Sequence, residues 1–132
     1  MRIRKFWGWG FEDELLSEDE EKNIDKRIAG TFNLDSIERL SIPKANDIDL
    51  HKPKIKEPKS LEAIFSSDKL ERLNHTYGKS FPDSARSILG LFPNPPDLVA
   101  FPTSEGDIYN ILDWASSNDI AVLPKSSKKI FL

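Results

Sequence analysis

The sequence predicts an α+β fold in which a helical amino-terminal region precedes a single β-α-β unit. Ile24, Ile28 and Phe32 lie four residues apart, which is the spacing of one helix face. Farther along there are two short apolar runs, 96–102 and 120–124. The first begins and ends with proline and the second ends with proline, which is typical of buried strands. The segment between these runs has apolar residues with helical spacing, so strand, helix and strand follow one another.

The composition limits the classes of function. The chain has 132 residues, of which 38% are hydrophobic and 31% charged, and this suits one small domain or a piece of a larger one. A net charge of −3 argues against a dedicated nucleic-acid-binding protein. Cysteine is absent from the sequence, which excludes disulfides and thiolate chemistry. No apolar run suits a membrane span or a secretory signal, and we therefore expect a cytoplasmic protein.

Residues 1–42 form the predicted helical amino-terminal region. Its aromatic cluster, residues 6–11, is interpreted as packing on the domain that follows, with a surface that binds a partner or a membrane as the alternative. The acidic run at 12–21 is interpreted as a solvated helix face. Asn33 or Asp35 is expected to cap a further helical turn within 33–42.

Residues 43–59 are rich in proline and lysine and predict an extended connection. Residues 60–91 then predict short helices. Ser60 is expected to cap the first of these, and Ser66, Ser67 or Asp68 the next.

Residues 92–124 contain the predicted β-α-β unit. Thr103 or Ser104 is expected to cap its helix, and Asn118 to end it. The helix would bury an apolar face made by Ile108, Ile111, Leu112 and Ala115. Because the two strands would be parallel, the helix serves as the crossover between them. Residues 125–132 are left as a divergent tail.

Few side chains suggest chemistry. His75 is interpreted as a structural hydrogen-bonding residue rather than a general base, because no nucleophile or metal ligand is evident near it. His51 is expected to be solvated, and Asp83 and Arg86 to form an i, i+3 pair. The lysines of the tail, Lys125, Lys128 and Lys129, are weak evidence for phosphate binding. No catalytic residue and no metal ligand are predicted.

Several motifs in a fixed order resemble one family. They are the opening "KFWGWG", a spaced series (His75, Gly78, Ser80, Asp83, Arg86 and Gly90), and a final group at Pro96-Asp97, Val99 and Pro102. This order resembles the start of the FAD-linked oxidases that have the vanillyl-alcohol-oxidase fold and a PCMH-type FAD-binding domain. It is most similar to the branch of alkylglycerone-phosphate synthase (alkyl-dihydroxyacetonephosphate synthase) and its bacterial relatives.

The resemblance implies that 92–124 is the first β-α-β unit of the FAD-binding domain. In the family a glycine-rich loop after the residue equivalent to Pro124 wraps the flavin pyrophosphate, so Pro124 is the one cofactor-binding residue carried over. Lys125-Ser126-Ser127-Lys128-Lys129 stands where the family has its glycines. We therefore expect a chain truncated at the FAD loop, through a frameshift or a split gene, that does not bind FAD by itself.

An intact relative in this branch would use FAD to make an ether-lipid precursor, by exchanging an acyl group for a fatty alcohol. The expected function is that of an inactive amino-terminal fragment of such a flavoenzyme. Three alternatives remain open: a fragment of a 2-hydroxy-acid (glycolate or D-lactate) dehydrogenase, half of a split enzyme whose remainder is a separate chain, and a small non-catalytic interaction module.

Overall fold

The computed structural model describes residues 2–126 and 130–131. Its helices are α1 (Glu18–Phe32), α2 (Lys69–Thr76), α3 (Phe81–Ile88) and α4 (Glu105–Ser117), and its strands are β1 (Phe65–Ser66), β2 (Val99–Ala100), β3 (Lys125–Ser126) and β4 (Ile130–Phe131). Short 3-10 helices cover Ala45–Asp47 and Glu62–Ile64. The chain divides into two compact units, one made of the residues up to Ile48 with Lys79–Leu91, the other of Asp49–Gly78 with the residues from Phe92 onward.

The first unit contains α1, α3 and a short hairpin at residues 3–12. The hairpin is held by backbone bonds from Lys5 N to Gly10 O and from Glu12 N to Ile3 O. Gly10 has a φ of 83°, a left-handed conformation that residues with a Cβ rarely adopt, so the turn favours glycine. The hairpin thereby places Phe6, which is only 2% exposed, in the core of this unit.

Lys79 fastens the hairpin to the start of α3. Its ammonium group donates to the carbonyl oxygens of Lys5 and Phe6, and its own carbonyl accepts the Trp9 indole N–H at 3.1 Å. Lys79 has a φ of 83°, which is uncommon for a residue with a Cβ. The aromatic cluster therefore divides, because Phe6 is buried while Trp9 remains 77% exposed.

The second unit packs α2 and α4 around a small antiparallel sheet. Phe65 of β1 pairs with Ala100 of β2, and Ser66 pairs with Val99. Its buried apolar side chains come from each part of the unit (Leu73 of α2, Phe92, Val99, Ala100, and Ile111 and Ala115 of α4). The strands β3 and β4 form a separate antiparallel pair.

The predicted α+β class is confirmed, and so are the bounds of its clearest helix. Ser104 caps α4 and Asn118 ends it. The expected buried face needs one correction, because Leu112 is 44% exposed while Trp114 turns inward and is partly buried. Trp114 follows Ile111 by three residues and therefore lies on the same helix face. Its indole, and not the Leu112 side chain, completes the inward face of α4.

The second strand expected at 120–124 does not join a sheet among the described residues. β2 pairs instead with β1, in a segment where the sequence predicted only helix. The hydrogen bond from Phe101 N to Ile64 O continues the ladder, so the intervening Ala100 directs its N–H and C=O away from β1. Among the described residues no further strand pairs with β2, and 120–124 instead lines the cavity described below, together with residues of β2.

Two helix predictions are wrong. Residues 34–44 contain no helix, and Asn33 instead ends α1 in a left-handed conformation with a φ of 51°. The 3-10 helix at Glu62–Ile64 begins from Leu61 without a side-chain cap, so Ser60 does not cap it. Asp68 does cap α2, as one of the three predicted choices, by accepting from the backbone N–H groups of Leu70 and Glu71.

Within the part of the chain that the structure describes, no helix combines the length and the apolar character needed to cross a membrane. Lys128 and Lys129, named above as weak phosphate-binding candidates, lie outside the described residues.

Candidate functional site

The second unit contains a cavity of about 780 Å³. One wall is the stretch 94–100, which leads into and includes β2, and another is the stretch 118–125, which follows α4. Further lining comes from β1, the end of α2 and the inner face of α4 (Ile55, Phe65, His75–Gly78, Ile111 and Trp114). This volume lies within the usual range for small-molecule sites, and the lining is mostly apolar, as such sites require.

Aromatic rings form the inner wall. The Phe65 and Trp114 rings meet edge to face, with centroids 5.2 Å apart and planes at 71°. His75 also lines the cavity, and its ring meets Phe101 edge to face at 5.9 Å. Edge-to-face contacts of this kind stabilise the ring positions, and Phe65 and Trp114 contribute apolar surface to the lining.

The cap of α4 fixes the position of Trp114. Ser104 Oγ accepts from Asp107 N at 3.1 Å, while Asp107 Oδ2 accepts from Thr103 N, Thr103 Oγ1 and Ser104 N at 2.8, 2.9 and 3.0 Å. The hydrogen bonds from Thr103, led by its backbone N–H, hold the pKa of Asp107 below its ordinary value. The helix therefore begins at one defined residue, and its inward face has one orientation.

His75 forms a hydrogen bond to the backbone of its own helix. Its Nδ1 lies 2.7 Å from the Glu71 carbonyl oxygen, one helical turn earlier. Because a carbonyl only accepts, Nδ1 carries the proton in this contact. This geometry agrees with the structural interpretation, although His75 also reaches the cavity lining.

Lys125 and Pro124 lie together at one end of the cavity. Lys125 Nζ donates to the carbonyl oxygens of Asn74 and Tyr77, at 2.8 and 3.2 Å, where α2 ends. A cation at the carboxyl end of a helix satisfies its last carbonyl groups and opposes the negative end of the dipole. Burial lowers the pKa of Lys125 below its ordinary value, and its ammonium group fastens the segment after α4 to α2.

Arg72 holds two other lining segments and was not singled out from the sequence. It is 4% exposed, and its guanidinium donates to the Pro96 carbonyl at 2.7 Å and to the His51 carbonyl at 2.9 Å. Asp97 adds a third link by accepting from Lys54 N at 3.0 Å. These bonds fasten both 51–54 and 96–97 near α2, so the wall that leads into β2 is fixed from outside the cavity.

The other candidate side chains are not among the residues that line the cavity. His51 is exposed, as expected, and its Nδ1 approaches Asp97 Oδ1 at 3.8 Å. Arg86 and Asp83 form the expected pair at 3.1 Å in the first unit. Asp83 also forms a capping box with Ser80, the residue that caps the start of α3. Among residues 2–126 and 130–131, no group of three or more histidine, aspartate or glutamate side chains could hold a metal ion.

The residues present do not fit the diphosphate of FAD, the cofactor that the resemblance implies. A diphosphate needs several backbone amides from a glycine-rich turn, or free cations, directed at it. Gly78 is the one glycine in the described lining, and residues 125–132 include no glycine. The Lys125 ammonium group already serves two carbonyl groups. The aromatic wall suits a flat apolar ring, but an anion cradle is absent from the described lining.

Comparison with known proteins gives one consistent relationship. No family model matches the chain. It is 32% identical over 71 residues to alkyldihydroxyacetonephosphate synthase of Dictyostelium discoideum, and 30% identical over 79 residues to that of Trypanosoma brucei brucei. These matches cover 50% and 54% of this chain, but only 12% and 13% of the relatives.

Solved structures agree with this relationship. Two crystal forms of an alkyldihydroxyacetonephosphate synthase, one triclinic and one orthorhombic, match with TM-scores of 0.69 and 0.71 at 18% and 22% identity. They cover 91% and 93% of this chain and 27% of each solved chain. The predicted resemblance is therefore confirmed, and the chain shares its fold with about a quarter of those structures.

Proposed function

We propose that this chain, which is similar to one part of the alkyldihydroxyacetonephosphate synthases, is the amino-terminal part of an FAD-dependent enzyme of that type and has no catalytic activity alone. The observation that carries the proposal is the cavity, whose described lining runs through Pro124 to Lys125, is mostly apolar and contains no anion cradle. The extent of the similarity supports it, because nearly all of this chain corresponds to about a quarter of a solved synthase chain.

The chain would contribute one wall of the cofactor site. Pro124 stands at the end of an apolar segment, 120–124, that lines the cavity. Phe65 and Trp114 would provide apolar surface for a planar ring. Arg72 and Lys125 would keep the two sides of the cavity in position through the backbone carbonyls that they bind.

When bound in an intact enzyme, FAD would supply the chemistry for the exchange of an acyl group for a fatty alcohol, which involves no net oxidation or reduction. The substrates would be acyl-dihydroxyacetonephosphate and a fatty alcohol. The residues described here would bind and orient, and the proton-transfer and substrate-binding groups would lie in a polypeptide outside this chain.

The first test measures FAD binding by the 132-residue chain itself, followed by quenching of flavin fluorescence and by co-elution on gel filtration. We expect a dissociation constant weaker than about 1 μM, because no backbone nest neutralises the diphosphate. Tighter binding would show that the cavity is a complete flavin site and would contradict the proposal.

The second test uses a matched pair of chimeras. Residues 1–124 are joined to the part of the Dictyostelium synthase that follows its matched segment, and a control chimera carries residues 1–132 at the same junction. We expect the first chimera to purify yellow with bound flavin and the control to lose most of it, because the added residues separate the wall from the cradle. A first chimera that is folded but cannot be loaded with FAD would refute the flavoenzyme assignment.

A further inference from the structure

One backbone edge of the cavity has no hydrogen-bond partner among residues 2–126 and 130–131. Val99 and Phe101 direct their backbone groups toward β1, so Ala100 between them directs its N–H and C=O away from that strand. Ala100 is 5% exposed and belongs to the cavity lining. Because buried backbone groups are nearly always paired, this donor and this acceptor indicate a partner from outside the described residues.

The free edge of β2 is too short for a peptide. Proline has no backbone N–H, and Pro96 and Pro102 stand on either side of β2. An added peptide strand takes its affinity from a series of main-chain hydrogen bonds, whereas here one residue offers one donor and one acceptor. In an extended residue these two groups lie side by side and point the same way. The edge therefore suits a small molecule in which an acceptor adjoins a donor.

The other lining residues favour an uncharged, flat ligand. Phe65 and Trp114 contribute apolar surface. The lining also includes the carboxylates of Asp97 and Asp119, while the Lys125 ammonium group already serves two carbonyl groups. An anion in this cavity would meet two like charges, and burying a charge without a partner is costly.

We infer that the cavity binds a flat, uncharged ring that carries an imide edge, through the backbone of Ala100. The Ala100 N–H donates to a ring carbonyl oxygen, and the Ala100 carbonyl oxygen accepts from the adjoining ring N–H. A flavin ring and a uracil-type base share this edge. The inference does not depend on the proposed enzyme assignment, because it needs neither a diphosphate nor a second polypeptide, and it stands even where both chimeras fail to load FAD.

Binding is measured on the 132-residue chain with two probes that lack phosphate, lumiflavin and 1-methyluracil. For lumiflavin we expect a dissociation constant of about 100 μM by fluorescence titration, the ordinary efficiency for a ligand of its size. Tighter binding of lumiflavin assigns the site to a tricyclic ring, and equal or tighter binding of 1-methyluracil assigns it to a single pyrimidine ring. The matched control is 3-methyl-lumiflavin, which keeps the ring but lacks the imide N–H and should bind about ten-fold more weakly.

Amide NMR locates the contact. On binding, the Ala100 amide proton should move downfield, whereas that of Phe101, which already bonds to Ile64 O at 2.7 Å, should move less. Ala100→Pro removes the outward N–H without removing a bond to β1 and should weaken binding about ten-fold, while Ala100→Gly keeps both backbone groups and should bind within about two-fold of the unchanged chain.

Three results would each overturn the inference. The first is that neither probe binds at about 500 μM protein, five times the expected dissociation constant. The second is that 3-methyl-lumiflavin binds as tightly as lumiflavin, which excludes recognition through the imide edge without any change to the protein. The third is an Ala100 amide signal that does not move when a probe binds.

Discussion

Replacing Arg72 with methionine tests whether the buried guanidinium is a main support of the cavity wall. The substitution keeps the unbranched stem and removes the donors to Pro96 O and His51 O. A hydrogen bond from a charged group contributes about 1.5–3 kcal/mol, so the two together contribute about 3–6 kcal/mol. Removing a buried cation returns part of this, because its desolvation cost disappears as well.

The expected net loss is about 2–4 kcal/mol in the free energy of unfolding, which is a large share of the roughly 5–15 kcal/mol typical of a domain. Urea unfolding followed by circular dichroism measures it. With a slope of about 2 kcal/mol per molar urea, the midpoint should fall by about 1–2 M without a change in slope.

Two variants control this measurement. Arg86→Met removes a guanidinium that is 54% exposed and pairs with Asp83 on the surface, so it should cost less than about 1 kcal/mol. Arg72→Lys keeps the charge but lacks the planar fork, and it should fall between the two. If Arg72→Met is no more destabilised than Arg86→Met, the guanidinium does not support the wall and the reasoning is wrong.

Three further predictions concern the ends of α4 and of α2. Ser104→Ala removes the acceptor of the Asp107 N–H and should lower stability by about 1 kcal/mol in thermal unfolding. Asp107 has a lowered pKa in the folded chain, so its contribution is present above pH 3.8, the ordinary value, and is lost as the pH falls. Asp107→Asn should therefore be less stable at pH 7 and show a shallower loss in acid. Lys125, whose pKa burial lowers, holds its proton more tightly when unfolded, so stability should rise as the pH approaches 10.5 from below, and Lys125→Met should remove that rise.

Each of these has a distinct contrary result. An unchanged melting temperature in Ser104→Ala would mean that α4 does not need its cap. If the stability of Asp107→Asn falls with pH in the same way as that of the unchanged chain, the acid-dependent loss of stability belongs to other carboxylates. A Lys125→Met profile that still rises toward high pH would assign the effect to a different group.

The features that could be predicted from the sequence are those that neighbouring residues decide. Ser104 and Asp107 satisfy each other's backbone across one helical turn, so the start of α4 follows from four consecutive residues. Asn118 ends the helix for similarly local reasons. The fold class followed from the same short-range spacing, and the resemblance followed from short motifs whose order along the chain is visible.

The features that the sequence did not predict depend on contacts between distant segments. Arg72 looks like an ordinary surface residue of an amphipathic helix, and only the arrival of Pro96 and His51 makes it a buried donor. In the same way, an apolar run such as 120–124 predicts burial, but without a strand neighbour Leu123 remains 85% exposed. Spacing alone could not distinguish a strand paired with β2 from a wall across a cavity from it.

The division of the chain into two units has a consequence for how it is made. Neither unit is one continuous stretch, since the chain contributes to the first unit, then to the second, then to each again, with changes after Ile48, Gly78 and Leu91. A ribosome releases residues in order, so the first unit cannot be completed until Leu91 has emerged, by which time 49–78 is already outside and waiting for Phe92 onward. Folding during synthesis must therefore leave two half-built cores exposed together. No single proteolytic cut or gene truncation can therefore separate the two units from each other.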